Sequence, residues 1–378
     1  MKNILILYAA YGGGHLNAAT AIKDYIEKNY EDVNVDLVDC IKYISKSIDK
    51  VTTSAYKELA KTVPWAWEKM YYKAECGMLS KISSSTNKIL SLKLKNLFEI
   101  FNPDLVISTH PFASQMTCHL KKKRYIDCKL ATILTDFASH KQWLIGHEYT
   151  DYFFVSNDTM VSELIDFGIN KEKIFNTGIP ISLKFSTNHN KNDIFSQFGL
   201  KQNKKLVLFF GGGEFGLGKS KTISYFDDLL SSIPKVQVIA VSGKNKKIKY
   251  SFQEIVNKYH RQNDVKLLEF TPKIPEIMSI CDFVISKPGG LTTSESLFSN
   301  LPMIIINPIP GQEEKNAEFL ENNNLGIWVK KDDNLTSILK DLINSENKIN
   351  ELKFNTKRFS NRNSSKNICD ILFKETNI

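Results

Sequence analysis

Residues 3–15, NILILYAAYGGGH, and residues 206–216, LVLFFGGGEFG, decide the fold. Each is a short run of large aliphatic and aromatic residues ending in three consecutive glycines. A continuous apolar run of this length is the pattern of a strand buried on both faces, as in a parallel sheet covered by helices. Glycines directly after it let the backbone turn tightly or approach a ligand closely. The same opening used twice predicts two successive α/β domains, and 378 residues suit two domains at roughly 150 residues each.

Outward from these openings the first series continues with strands predicted over 33–38, 104–108, 129–134 and 152–155. Helices are expected over 16–29 and 158–167, and across most of 42–100 with breaks near Pro64 and Gly77. The second series has strands over 236–241, 265–268, 283–285 and 303–306. Strands alternating with helices read as doubly wound parallel sheets. The polar, Asn- and Lys-rich stretch 182–204 reads as a linker and domain entry.

Composition narrows the class. With 42% hydrophobic and 24% charged residues, collagen-like, disordered and small disulfide-stapled chains are excluded. No apolar run approaches the ~18–20 residues that cross a bilayer, and residues 1–15 read as strand and turn rather than signal peptide, so a cytoplasmic protein is expected. The six cysteines are scattered without a CxxC, and the seven histidines lack HExxH spacing, which predicts reduced thiols and no structural zinc. Net charge is +9, and residues 42–95 hold eleven lysines against four acids. That local excess calls for an anionic partner. Nucleic acid is the least supported, because no recognised module is visible.

Four motifs carry chemistry. In GGGH (12–15), Gly14 and its neighbours open a helix whose free N–H groups suit an anion, and His15 can act as a base. The dinucleotide fingerprint would need glycine at Asn17, though Asp36 keeps a nicotinamide reading open. In GGGE (211–214), Gly212 and Gly213 form either a tight turn or a backbone wall near a phosphate. In SKPGGLTTSE (286–295), Gly289, Gly290, Leu291 and Thr292 begin a helix and suit a diphosphate. Glu295 there can accept from ribose hydroxyls or merely complement the helix dipole. In PGQEEKNA (310–317), Gln312, Glu313 and Asn316 can read sugar hydroxyls or serve as a polar cap. His110 and His140 each follow a strand at the sheet edge where α/β folds bind ligands, with Trp143 nearby, and are candidates for an acceptor site or for structural hydrogen bonds.

Taken in order, GGGH, STHPFASQM (108–116), LTDFASHKQW (134–143), SKPGGLTTSES and PGQEEKNA resemble the family 28 glycosyltransferases of the GT-B fold. Within them the chain looks most like the monogalactosyldiacylglycerol synthase and processive diacylglycerol glucosyltransferase group. The resemblance implies two Rossmann-like domains facing a central cleft, 1–182 for acceptor and membrane and 183–356 for the UDP-sugar, with a helix over about 357–378 returning to the first. It implies UDP-glucose or UDP-galactose as donor. Uracil would meet Phe270 and Thr271, ribose Glu295, the diphosphate residues 289–292 with Gly14, Gly212 and Gly213, and the hexose Gln312, Glu313 and Asn316. His15 and Asp136 match the positions from which a base is drawn.

The implied reaction inverts the anomeric centre and forms a β-glycosyl-diacylglycerol. Helix N-termini can take up the charge of departing UDP, so neither cofactor nor metal is expected. Trp65 and Trp67 stand among lysines, a pattern that favours an anionic bilayer interface and implies peripheral association with the inner face of the cell membrane. The competing readings are a polyprenyl-linked or small-molecule acceptor, a UDP-sugar epimerase of similar architecture, and a non-catalytic nucleotide- or lipid-binding protein.

Overall fold

A computed structural model describes residues 2–10, 13–44, 78–212, 219–359 and 363–376, with the side chains of 78–89 and 219 outside that set. Two six-stranded parallel sheets organise the chain. The first comprises β1 (Lys2–Tyr8), β2 (Val33–Asp39), β3 (Leu105–Ser108), β4 (Lys129–Ile133), β5 (Tyr152–Val155) and β6 (Ile174–Asn176), in the order β2-β1-β3-β4-β5-β6. The second comprises β7 (Leu206–Phe210), β8 (Gln237–Val241), β9 (Val265–Leu268), β10 (Phe283–Ser286), β11 (Met303–Ile306) and β12 (Gly326–Val329), in the order β12-β11-β10-β7-β8-β9. Strand order reverses between β1 and β3 in one sheet and between β7 and β10 in the other. Loops leaving the carboxyl ends of such strands diverge and leave a crevice.

Helices cover both faces. In the first half they are α1 (Gly13–Asn29), α2 (Cys40–Ile44), α3 (Met78–Phe101), α4 (Pro111–Lys122) and α5 (Asp158–Asp166). In the second they are α6 (Lys191–Phe198), α7 (Lys219–Ser232), α8 (Lys246–Lys258), α9 (Ile274–Ile280), α10 (Gly290–Phe298), α11 (Gln312–Asn322), α12 (Leu335–Asn344), α13 (Glu346–Phe359) and α14 (Ser364–Thr376). Strand side chains alternate between faces. Leu5, Leu7, Val106 and Leu130 therefore enter one apolar cluster while Ile4, Ile6, Leu105 and Ile107 enter the opposite one. Val207, Phe209, Phe283 and Ile285 are likewise separated from Leu206, Leu208 and Val284.

The stretch 182–204, read as linker and domain entry, holds α6, and Phe185, Ile194 and Leu200 are buried in the second domain's core. Three apolar side chains among many polar ones are enough to anchor it. Toward the chain end α13 buries Ile349 and Leu352 against the second domain. Within 357–378, where a returning helix is expected, α14 sends Ile368, Cys369, Leu372 and Phe373 into the first domain's core, with Phe373 stacked on Tyr30 at 3.9 Å. Among the described residues no helix is long and apolar enough to cross a membrane.

Candidate active site

The first half of the site is built where β1 and β3 part. Strand β1 delivers His15 in the opening turn of α1, and β3 delivers Thr109 and His110. The His15 Nδ1 lies 2.6 Å from the Thr109 carbonyl oxygen and 3.1 Å from Thr135 Oγ1. A carbonyl only accepts, so Nδ1 carries the proton and Nε2 keeps its lone pair. Thr109 Oγ1 donates back to the His15 carbonyl at 2.9 Å. His110 caps α4: its Nδ1 accepts from the Phe112 amide at 3.1 Å, and Pro111 fits the first helical position. The His15 and His110 rings meet edge to face at 4.5 Å, and Trp143 lies 6.4 Å from His15 and 6.0 Å from His140. The buried Trp143 Nε1 has no hydrogen-bond partner among the described residues.

All three imidazoles are held neutral. Burial pushes His15 down to about 4, against the opposing pull of the Thr109 carbonyl. Burial, then His15 and Lys315, push His140 to about 3, and burial with the two other histidines takes His110 well below its usual value.

The second half is built where β7 and β10 part. Gly211 is held by its amide to the Val241 carbonyl at 2.8 Å, and Gly212 follows with φ +89°. Beyond β10, Gly289 precedes α10. Lys287 Nζ reaches both carboxylate oxygens of Glu313, at 2.9 and 3.1 Å, and the Ile309 amide donates to the same carboxylate at 2.7 Å. Both partners of that ion pair are largely shielded. Glu295, on α10, is partly buried and has no hydrogen-bond or ionic partner among the described residues. Loss of hydration pushes its carboxyl up to about 8. Phe270 is 71% exposed beyond β9 with Lys244 Nζ 5.8 Å from its ring centre, and Thr271 Oγ1 accepts from the Lys273 amide.

The halves touch. Leu291 is buried in one cluster with Ala18 and Phe137, and a Cβ on Gly14 would lie 3.4 Å from the Leu291 side chain. The Phe137 and Phe319 rings are 5.0 Å apart. Asp136 is buried. It accepts from Asn316 Nδ2 at 3.2 Å and from Gln312 Nε2, while burial raises its carboxyl to about 6 against these two bonds.

These shifts set how stability depends on pH. The histidines bind protons more readily unfolded than folded, so their contribution is full above about pH 6.5 and is lost as pH falls toward 4. Glu295 and Asp136 act oppositely, because their raised carboxyls bind protons more readily in the folded state. At pH 5 the histidines outweigh the two carboxyls and stability rises with pH; once the histidines are neutral in the unfolded chain as well, above about pH 7, Glu295 makes it fall. A thermal-melt series from pH 4.5 to 8.5 should therefore peak near pH 7. A monotonic profile would contradict this assignment of charges.

The site thus gathers His15, His110, His140 and Trp143 from one sheet, residues 289–292, Glu295 and Glu313 from the other, and Asp136, Gln312 and Asn316 at the seam. Phe270 and Thr271 lie farther along the second sheet's carboxyl edge. Trp65, Trp67 and Gly213 are outside the described residues. Lys287 was missed by motif reading; its sequence signal was a cation beside two glycines at the end of a buried strand. Among the described residues no group of three or more His, Cys, Asp or Glu side chains is placed to hold a metal ion.

Comparison with known proteins bears on this arrangement. The family description for monogalactosyldiacylglycerol (MGDG) synthase matches residues 15–181, and that for the glycosyltransferase family 28 C-terminal domain matches residues 174–371. A processive diacylglycerol beta-glucosyltransferase of Bacillus cereus is 31% identical over 93% of this chain and 88% of its own length. One from Bacillus pumilus is 28% identical over 100% and 96%. Among solved structures, S. aureus MnaA with UDP aligns with TM-score 0.66 at 12% identity, covering 100% of this chain and 97% of that one. Acinetobacter baumannii MurG aligns with TM-score 0.66 at 10% identity, covering 99% and 100%. Such distant likenesses speak for the GT-B fold alone. The sequence matches go further, and with two facing Rossmann-like sheets and their glycine loops they show that the chain belongs to glycosyltransferase family 28, in the branch of the monogalactosyldiacylglycerol synthases and processive diacylglycerol glucosyltransferases.

Proposed function

We propose that this protein transfers a hexose, glucose or galactose, from its UDP-sugar to diacylglycerol with inversion, forming a β-glycosyl-diacylglycerol. The observation that carries the chemistry is His15, a neutral imidazole whose proton is fixed on Nδ1 by the Thr109 carbonyl, leaving Nε2 unprotonated. Nε2 takes the proton of the acceptor hydroxyl as its oxygen bonds to the anomeric carbon. The bond from that carbon to the diphosphate oxygen breaks on the opposite face, and the electron pair leaves with UDP. The N-terminus of α10, the glycine loops and Lys287 offer donors and positive charge to the departing diphosphate. The direct test is incubation with UDP-glucose and UDP-galactose, separately, and diacylglycerol in anionic vesicles, followed by lipid mass analysis. A glycolipid with one donor identifies the sugar; none with either defeats the proposal.

Donor binding has its own signature. Glu295 is protonated in the empty site below about pH 8, whereas accepting ribose hydroxyls favours the carboxylate. UDP affinity should therefore strengthen between pH 6 and 8, by up to about tenfold per unit, with release of a proton. Glu295→Gln should flatten the trend, measured by calorimetry in buffers of differing ionisation heat. An unchanged slope would remove Glu295 from the ribose.

The acceptor reaches the enzyme at an anionic membrane surface. The lysine excess of residues 42–95, interspersed with Trp65 and Trp67, supports this, at about 1 kcal/mol per basic residue near charged lipid. Vesicle binding should weaken when both tryptophans and neighbouring lysines are replaced, with UDP affinity spared.

A further inference from the structure

Asn316 is fully buried at the start of α11, and each of its polar hydrogens is used. Its Nδ2 donates to Asp136 Oδ1 at 3.2 Å and to the Pro288 carbonyl at 3.0 Å, and its Oδ1 accepts from the Phe137 amide at 2.8 Å. Two of those partners belong to the first domain and one to the second, so this side chain straddles the seam. In this closed arrangement it has no donor left for a sugar.

Asp136 faces it from a loop that the first domain holds stiffly. Ser156 Oγ donates to the Asp136 carbonyl at 2.8 Å, and Asn157 Nδ2 donates to the Phe137 carbonyl at 3.0 Å while its Oδ1 caps α5. The second Asp136 oxygen accepts from Gln312, one turn before Asn316 on α11. A buried carboxylate, which is costly unless hydrogen-bonded, is thus satisfied from the opposite domain. Opening the cleft would strip both amide donors from Asp136.

We propose that Asp136 and Asn316 are a positioning pair, an interdomain latch that holds the closed arrangement and sets Gln312 at the mouth of the donor site. The catalytic consequence rests on the transferase reading above, but the latch itself does not. In this role Asp136 acts through Asn316 and Gln312 rather than on the acceptor hydroxyl, which leaves proton removal to His15. Glu313, fixed by Lys287 and the Ile309 amide, is then the residue of this motif whose carboxylate stays on the donor side.

The test uses the full chain and amide hydrogen exchange, which needs no substrate. Asp136→Asn is isosteric and should fold. It places a carboxamide N–H against the donors of Gln312 or Asn316, so exchange should quicken by about tenfold or more at residues 134–138 and 286–291, as expected of a local opening. Asn316→Ala should do the same, with wild-type exchange over 206–210 and 237–241 as evidence of an intact second domain.

The double variant Asp136→Asn/Asn316→Asp should recover protection on the first-domain side only, at residues 134–138. The carboxamide oxygen at 136 can accept from Gln312 and its nitrogen can donate to a carboxylate at 316, whose other oxygen accepts from the Phe137 amide. The Pro288 carbonyl loses its donor in this variant, so residues 286–291 should stay fast. Recovery at 134–138 in the double variant supports the latch. Wild-type exchange at 134–138 in the single variants, or a double variant no better protected there than the singles, overturns it. If the transferase reading fails while these shifts appear, the latch stands on its own.

Discussion

His15→Ala is expected to lower kcat by about 10²- to 10⁴-fold, the usual worth of a positioned general base, while leaving UDP affinity nearly intact. The imidazole removes a proton and contributes little to nucleotide binding, so the loss should sit in kcat and in kcat/KM alike. The pH profile should carry a second mark. In the empty site burial keeps His15 down to about 4, too weak a base for efficient chemistry near neutrality. The diphosphate brings negative charge to the same crevice, which favours the protonated imidazole and raises its pKa. The acid limb of kcat should therefore lie at higher pH than the folded-state value of the free enzyme. Steady-state rates from pH 5 to 9, with histidine titration by NMR in the presence and absence of UDP, measure both. A variant that retains wild-type kcat would move the base elsewhere.

Gly290→Ala should be nearly as damaging, for a different reason. A Cβ at that position would fall far inside the van der Waals radius of the Thr135 carbonyl oxygen and 2.9 Å from its carbon. Both clashing atoms are backbone and cannot rotate away. In an isolated helix the same substitution favours folding by about 1 kcal/mol. The seam is forced apart and the diphosphate-facing start of α10 moves with it, and a displacement of about 1 Å at the reacting groups costs roughly 10²-fold in rate. Wild-type amide protection over 206–210 and 237–241 would show that the second domain still folds. Unimpaired transfer by this variant would mean that catalysis does not use the closed arrangement.

Strands were easy to place from sequence because burial on both faces writes them as unbroken aliphatic runs; LVLFF and NILILY needed no alternation to be found. Shorter elements escaped. β6, only Ile174–Asn176, and β12, Gly326–Val329, are edge strands of three and four residues whose apolar side chains Phe175, Ile327 and Trp328 are only partly buried. α4 was hidden because its N-cap is a histidine rather than Ser, Thr, Asp or Asn. The family resemblance identified residue types at the site, but not which of them face one another. Asp136 and Asn316 are 180 positions apart in the chain, and no local pattern announces that their side chains bond. The same holds for the carbonyl of Thr109 that fixes the His15 tautomer: a backbone oxygen has no letter in the sequence.

The docking of α14 on the first sheet has a consequence for biosynthesis. The cluster containing Ile4, Ile6 and Ile107 is completed by Ile368, Cys369, Leu372 and Phe373, which the ribosome makes only after the whole second domain. At roughly 5–20 residues per second the nascent first half waits on the order of ten seconds or more with a sticky flank uncovered. Arrest of translation before codon 364 should leave an amino-terminal half that is protease-sensitive and prone to aggregate.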